Sequence, residues 1–400
     1  MKPYEKPYEI KKGIYWVGAI DWSVKSFHGH TYNTKNGTTY NAYLIIDEKI
    51  ALVDAVYPPF TRELIENIRA VVPLERIDYV IANHVETDHS GALPEVLKAC
   101  PKAKVFCTAK GKEGLYRHYY ENWDFQTVRT GDKVKLGRRT LQFIEAAMIH
   151  WPDSMFTYCP EEELLMPNDA FGQHYATSER FDDSADEAEL ESESAKYFAN
   201  ILWPFSSIIL KKIEEIKKSG IPIRMIAPSH GIIWRKDVQR PINDYIGWCK
   251  NETKPKAVIV YETMYGATEE MARHAARGMN DAGVKVEVFD VNQSNRTEVI
   301  KEMLDAKGYM FGSSTHDNDM LPNLAGFLEF FKGLKPKNRI GAAFGSYGWS
   351  GGATDEIEGI LKKTGVETAQ PALTFKYRPN EAELQRCYEY GTSFAELVKK

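Results

Sequence analysis

The chemistry of this chain is densest in His84-Val85-Glu86-Thr87-Asp88-His89. Two imidazoles and two carboxylates fall within six residues. The segment directly follows Tyr79-Val80-Ile81-Ala82, which reads as a buried strand. The C-terminal end of a strand is where α/β folds place their chemistry. Side chains at 84, 86 and 88 alternate by two in an extended turn, so all three can converge on one site. A polar loop with one capping Asp before a helix at Ser90 would account for a lone histidine, but not for this pattern. Ligand-type residues recur at three later strand ends. His150 follows the apolar stretch Phe143–Ile149, Asp169 follows Leu164–Pro167, and His230 follows Met225-Ile226-Ala227. Gly or Pro tightens the turn beside each. One such residue means little; four strand ends form a pattern, and the chemistry it suits is metal binding.

A second constellation lies near the C-terminus. The strand-like Ala257–Tyr261 runs into Glu262-Thr263-Met264-Tyr265-Gly266-Ala267-Thr268, and a helix begins near Glu269. Small and hydroxyl residues in such a turn let backbone N–H groups and hydroxyls cradle a phosphate at the helix N-terminus. The loop resembles the flavodoxin phosphate loop T-x-T-G-x-T, with Tyr265 at the middle Thr. It lacks the lysine that an ATP loop would carry, so FMN suits it better. A simple N-cap, Thr268 followed by Glu269 and Glu270, is the plainer account of this segment alone. Two further segments follow later strands: Ser314, Thr315, His316 and Asn318, then Ser346, Tyr347, Gly348, Trp349, Ser350 and Gly351. Trp349 in a glycine-rich loop has little core to join, and stacking on an isoalloxazine is the better reading.

The elements that must position these residues divide the chain in two. Asn251–Lys256 is polar and contains a proline, so the expected domains are 1–250 and 257–400 with a linker at 251–256. In the first, strands and helices alternate with meander-like runs at 39–47 and 49–56, which suggests an αββα sandwich. The acidic run Glu179–Glu193 reads as a solvated loop or helix start. In the second, strands expected at 257–261, 284–289, 308–313, 339–344 and near 370–375 alternate with helices. That pattern is a doubly wound parallel five-stranded sheet of flavodoxin size.

Composition narrows the function classes. The 400 residues carry a net charge of −5 and 43% hydrophobic side chains, so nothing suggests the basic face of a nucleic-acid binder. No apolar run approaches the roughly 20 residues needed to span a bilayer. The polar start Met1–Lys6 leads into no signal core, and a cytoplasmic location is expected. The five cysteines include no C-x-x-C pair, so a zinc ribbon or a fused rubredoxin module is unsupported.

The order H-x-E-x-D-H … His … Asp … His resembles the metallo-β-lactamase fold, whose hydrolases typically show H-x-H-x-D-H. Glu86 stands where their second histidine does. That exchange, joined to a flavodoxin-like half, is the signature of the flavodiiron proteins. The resemblance runs through Gly13–Ala19, Gly37–Tyr43 and His150–Met155 as well. It implies two non-haem irons. His84, Glu86 and His150 would hold one; Asp88, His89 and His230 would hold the other; Asp169 would bridge. Family members differ in whether the residue at His89 coordinates. His28 and Tyr197 would lie near the pocket as proton or hydrogen-bond donors, whereas His118, His174, His274 and His316 receive no catalytic role. The implied activity is reduction of nitric oxide to nitrous oxide, of dioxygen to water, or both. Electrons would come from a separate donor such as rubredoxin and pass through FMN, in a head-to-tail homodimer or a dimer of dimers. A carboxylate in place of imidazole makes the site harder and more anionic, which favours iron over zinc. The rivals are a metallo-β-lactamase-class hydrolase with a fused flavodoxin and an electron-carrier flavoprotein.

Overall fold

The computed structural model describes residues 7–400. The polar start Met1–Lys6, on which the cytoplasmic expectation drew, lies outside them. Among the described residues no helix is long and apolar enough to cross a membrane.

Two compact units emerge. The first holds most of the chain up to Ile246. Its larger sheet has the strand order Tyr8–Lys11, Ile14–Trp16, Tyr43–Ile45, Ile50–Val53, Ile77–Ile81, Lys104–Cys107 and Asp124–Thr127. Its second sheet orders Lys133–Lys135, Thr140–Glu145, Met155–Cys159, Leu164–Met166 and Met225–Ile226. The period of two along each strand divides the side chains between two cores. Tyr43, Ile45, Ala51, Val53 and Ile81 face Phe143, Met155, Leu164 and Met166 between the sheets. Leu44, Leu52, Val80 and Val105 point the other way, onto Leu64, Ile68, Leu93, Val96 and Leu115 of the covering helices. Two sheets with outer helices are the expected sandwich.

The second unit gathers Gly247–Lys400 together with Thr31–Asn33 and Phe198–Ser206. Its sheet is parallel, with Lys254–Glu262 between Lys285–Asp290 and Ala306–Ser314, followed by Ile340–Tyr347. The expected fifth strand is broken. Glu367–Thr368 and Leu373–Lys376 both pair with Ile340–Tyr347. Pro371 lies between them and cannot donate to a ladder, so the break falls at the sheet edge. Helices Ala267–Asp281 and Glu381–Val398 pack closely on one face. A Cβ on Gly278 would lie 2.0 Å from Tyr388 O, and one on Gly391 2.0 Å from Ala275 O, so glycine at both crossings sets the approach.

The acidic run is only partly solvated. The helix Glu187–Tyr197 buries Glu193 against Lys196 with 3.3 Å between their charged atoms, so the sequence reading of a solvated face fails at its C-terminal end. Helical spacing of three residues puts the two on one inward stripe.

Candidate metal centre and flavin edge

Strand ends of both sheets in the first unit deliver the candidate ligands to one place. The strand Ile77–Ile81 releases Asn83, His84 and Glu86. The extended alternation expected through 88 does not occur. Thr87–Ser90 closes a helical turn on the Glu86 carbonyl, which swings Asp88 and His89 to a different side. Ligand atoms of His84, Glu86, His150 and Asp169 therefore form one group within 4.8 Å, and those of Asp88, His89 and His230 another. All but Glu86 are buried.

Asp169 lies between the groups with one oxygen on each side. Its Oδ2 is 3.4 Å from His150 Nε2 and 3.8 Å from His84 Nε2. Its Oδ1 is 3.0 Å from His89 Nε2 and 3.5 Å from His230 Nε2. Asp88 Oδ2 lies 3.1 Å from His230 Nε2, and Glu86 Oε2 lies 3.3 Å from His84 Nε2 and 3.5 Å from His150 Nε2.

Second partners fix the imidazoles. His84 Nδ1 is 2.9 Å from Asp153 Oδ2, which also accepts from Val85 N at 2.8 Å. His230 Nδ1 is 2.6 Å from the Thr39 carbonyl. In both, the bonded Nδ1 turns Nε2 toward the centre, the usual outer-shell arrangement of a metal-binding histidine.

Beneath the ligands, Asp54 joins the sheets. Its carboxylate accepts from Asn83 N at 2.8 Å, Asn83 Nδ2 at 3.0 Å and Asn168 Nδ2 at 3.1 Å. Asn83 Oδ1 in turn accepts from Thr157 Oγ1 at 2.7 Å. Burial pushes the Asp54 carboxyl up, against the pull of His89 and the asparagine donors.

The electrostatics are those of donors waiting for cations. Burial alone would lower the His84 and His150 pKa values, yet surrounding carboxylates, Asp153 and Glu86 for the first, Asp169 and Glu86 for the second, raise both to about 10. Asp88 and Asp169 raise His89 to about 9 against the same burial. The Asp169 carboxyl is held well below its usual range: burial opposes this, but His89 and His150 outweigh it.

The buried atoms Asp88 Oδ1, Asp169 Oδ2 and both ring nitrogens of His89 make no hydrogen bond, although opposite charges stand within ion-pair distance of three of them. Native structures rarely leave buried polar atoms so. Side chains aimed at a common centre instead of at one another explain it. The donor set of imidazoles and carboxylates, with no thiolate, fits iron.

His28 stands at the rim, exposed, with Nε2 3.5 Å from Glu86 Oε1. Tyr197 is buried, its ring 6.3 Å from that of His230. Burial first, then the Asp169 charge, raise the Tyr197 hydroxyl well above its ordinary value, so it stays protonated.

Sequence reasoning passed over His174, which is buried and stacked on Phe27 at 4.5 Å, 4.7 Å from the His230 ring, with Nδ1 2.8 Å from Thr38 Oγ1. Burial, then the neighbouring histidines, hold it well below its ordinary pKa. Its place five residues beyond Asp169, past a tight turn, was the available signal.

In the second unit, the turn after Lys254–Glu262 closes with Gly266 N donating to Thr263 Oγ1 at 3.0 Å. Hydroxyls from three segments meet behind it. Thr268 Oγ1 is 3.0 Å from Ser314 Oγ and 3.2 Å from Ser346 Oγ, and Met264 N donates to Ser314 Oγ at 3.3 Å. The helix from Ala267 starts here, so its unpaired N–H groups and these hydroxyls make a cradle without lysine, which fits a monophosphate. Thr315 N donates to the Ser346 carbonyl at 2.8 Å, and Ser350 Oγ to Asn318 Oδ1 at 2.7 Å, joining the two later loops. Gly352, at φ 139°, passes so close to Asn318 O that a Cβ would lie 2.0 Å from it. Tyr265 is 92% exposed and Trp349 90% exposed. His316 is also exposed, 3.4 Å from Asp317, apart from the hydroxyl cluster. Tyr377, unread in the sequence, lies against Gly348 in the same rim.

Known proteins share both halves. The profile of the ODP family beta lactamase matches residues 38–231, and that of flavodoxin matches residues 259–391. The nitric oxide reductase of Moorella thermoacetica is 50% identical over 395 residues, spanning 98% of this chain and 99% of that one. The rubredoxin oxygen:oxidoreductase of Desulfovibrio gigas superposes with a TM-score of 0.96 at 36% identity, covering 98% of this chain and 99% of that chain. The flavodiiron protein from Giardia intestinalis gives 0.95 at 35% identity, covering 100% and 98%. The chain belongs to the flavodiiron protein family. Its flavodoxin domain is an FMN domain, and its beta-lactamase-like domain is of the diiron kind.

Proposed function

We propose that this flavodiiron chain reduces nitric oxide to nitrous oxide, dioxygen to water, or both, taking electrons from an external donor through FMN. The observation that carries the reading is Asp169, one oxygen toward each of two ligand groups. In this reading His84, Glu86 and His150 would hold one iron and Asp88, His89 and His230 the other, with Asp169 facing both. Thr263–Thr268, Ser314–His316, Asn318 and Ser346–Gly351 hold FMN. Bound together, the two groups supply the electron transfer that side chains and zinc cannot.

The residues of the chain do the rest. Asp153 and the Thr39 carbonyl orient His84 and His230. Phe27, Tyr40, His174 and Tyr197 wall the His230 side with rings and keep bulk water out. Tyr197, held protonated, donates a hydrogen bond there, and His28 at the rim passes protons inward past Glu86. Such a pocket suits small neutral diatomics.

The name of the Desulfovibrio gigas relative supports rubredoxin as the donor class. We also keep a division near 251–256, whose last three residues already belong to the strand Lys254–Glu262, together with a cytoplasmic location and a head-to-tail dimer. Isologous pairing could bring one chain's flavin edge to the other chain's metal pocket. The deciding experiment is anaerobic stopped flow of the reduced protein against each gas, with iron and FMN quantified. About two irons and one FMN per chain, with gas-driven flavin reoxidation, are expected. Stoichiometric zinc with thiolesterase activity, from cells supplied with iron, would favour the hydrolase and overturn the proposal. For the dimer, a heterodimer pairing a His230→Ala chain with a Thr263→Ala/Thr268→Ala chain should regain turnover that each homodimer lacks.

A further inference from the structure

The turn that carries His89 is bonded to an oxidisable side chain that the proposed chemistry does not use. Ser90 follows His89, and its hydroxyl reaches the carbonyls of Val85 at 2.7 Å and Glu86 at 3.0 Å. The same oxygen is 2.7 Å from the hydroxyl of Tyr119, the last residue of the helix Ala109–Tyr119. Tyr120 then takes a left-handed φ of 54° and ends the helix. The reversed chain lays the Trp123 ring 5.6 Å from that of Tyr119. Both rings are half-buried, and Tyr120, Glu121 and Asn122 between them are exposed. A continuous path of one peptide link, one hydrogen bond and one ring contact therefore runs from a candidate iron ligand to an indole near the surface.

Electron tunnelling falls steeply with distance, so closely spaced oxidisable rings relay a missing electron far faster than one long jump. Neither ring is needed for binding gas or flavin. Packing accounts for the rings being there, but it requires neither a hydroxyl bonded to the ligand-bearing turn nor an indole as the outer neighbour.

We propose that Tyr119 and Trp123 form an escape route for oxidising equivalents. The inference rests on the dioxygen-reducing reading above. When the electron supply fails part-way through dioxygen reduction, the pocket is left as a one-electron oxidant. One electron then passes from Trp123, across the Tyr119 ring and the Ser90 hydrogen bond, into the pocket. The indole radical cation releases its Nε1 proton to water. A small thiol in solution returns a hydrogen atom to the indole and is itself oxidised to a thiyl radical. The pocket gains one electron, Trp123 is restored, and the thiol bears the net oxidation. Trp151 is the competing trap, because its ring lies 5.1 Å from His84 and 6.0 Å from His150 at the pocket wall.

The test uses iron- and FMN-loaded protein reduced with fewer electrons than dioxygen requires, then mixed with dioxygen in the presence of catalase. Rapid freezing gives the radical by electron paramagnetic resonance, and peptide mass mapping locates added oxygen. The expected result is a tryptophanyl signal with oxygen added mainly at Trp123. Trp123→Phe should lose both and inactivate in several-fold fewer turnovers. Trp123→Tyr should restore protection with a tyrosyl signal, which a packing defect would not produce. Tyr119→Phe keeps the ring but loses the hydrogen bond, and should lower the Trp123 yield several-fold. Oxidation concentrated at Trp151, or at the exposed Trp22 and Trp349 with Trp123 intact, would overturn the route. So would an unchanged Trp123 yield in Tyr119→Phe. Protein that leaves dioxygen unconsumed in an oxygen electrode would overturn the dioxygen-reducing reading, and the route with it.

Discussion

In the metal pocket nearly every candidate donor is a charged or titratable side chain below the surface, and several of its buried atoms bond to nothing. At the flavin edge the candidate contacts are hydroxyls that already bond one another, backbone N–H groups, and rings standing in solvent. Both sites sit at strand C-terminal ends, yet they differ in what the protein suffers when the cofactor is missing. A buried charge without its partner destabilises the fold that holds it. A hydroxyl cluster satisfied by its own members does not. The metal pocket is thus coupled to the stability of its unit, and the flavin edge is nearly decoupled.

Breaking the bridge should have the largest effect. Asp169→Ala removes the group that faces both ligand sets, so both irons and all gas turnover should go. Asp88→Asn touches one set and should cost less iron and less turnover. Iron analysis and nitric oxide consumption of the two variants check this; equal, mild losses would refute a bridge at 169.

Next in size is Asp153→Asn, which leaves every candidate ligand in place but weakens the orientation of His84. Loss of such an outer partner costs about 10–100-fold in metal affinity or activity. Competition with a chelator measures it, and parent affinity would show that His84 is held by packing alone.

Metal removal should make stability depend on pH in a definite sense. His84, His150 and His89 have folded pKa values near 10, 10 and 9 against an ordinary 6.5. Groups raised in this way stabilise the folded state fully below about 6.5, and the contribution is lost as pH climbs toward 9–10. Metal-free protein should therefore melt progressively lower from about pH 7 to 10, while iron-loaded protein, whose imidazoles are neutral already, should not. Calorimetry of the chelated and loaded forms decides it, and identical curves would remove the contrast between the two sites.

The smallest effect is expected at the flavin edge. Trp349→Ala should weaken FMN binding by about 0.5–1.5 kcal/mol, the usual worth of one stacked ring pair, and leave the melting of the metal unit unchanged. Fluorescence titration of flavin-free protein gives the first quantity and calorimetry the second.

How much of this was legible in the sequence followed the same divide. Strong ligands at strand ends are conspicuous, and His84, Glu86, Asp88, His89, His150, Asp169 and His230 come together as two groups around Asp169. The turn at Thr87–Ser90 was not legible, because one short helical turn leaves no periodicity to read. Asp54, Asn83 and Asn168 were missed because a buried polar network announces itself only through partners remote in the chain. His174 was missed because an apolar setting for an imidazole is a property of packing. The broken edge strand was half visible in Pro371. Tyr377 carried no signal beyond its place after the last strand.

Asp169 has one more consequence. A carboxylate whose two oxygens serve two neighbouring groups makes their occupancies a single equilibrium instead of two. The first iron to arrive fixes the carboxylate, so the second finds its half of the site already arranged. Titration of metal-free protein with ferrous iron should then be sigmoidal, with chains mostly empty or full and few half-loaded.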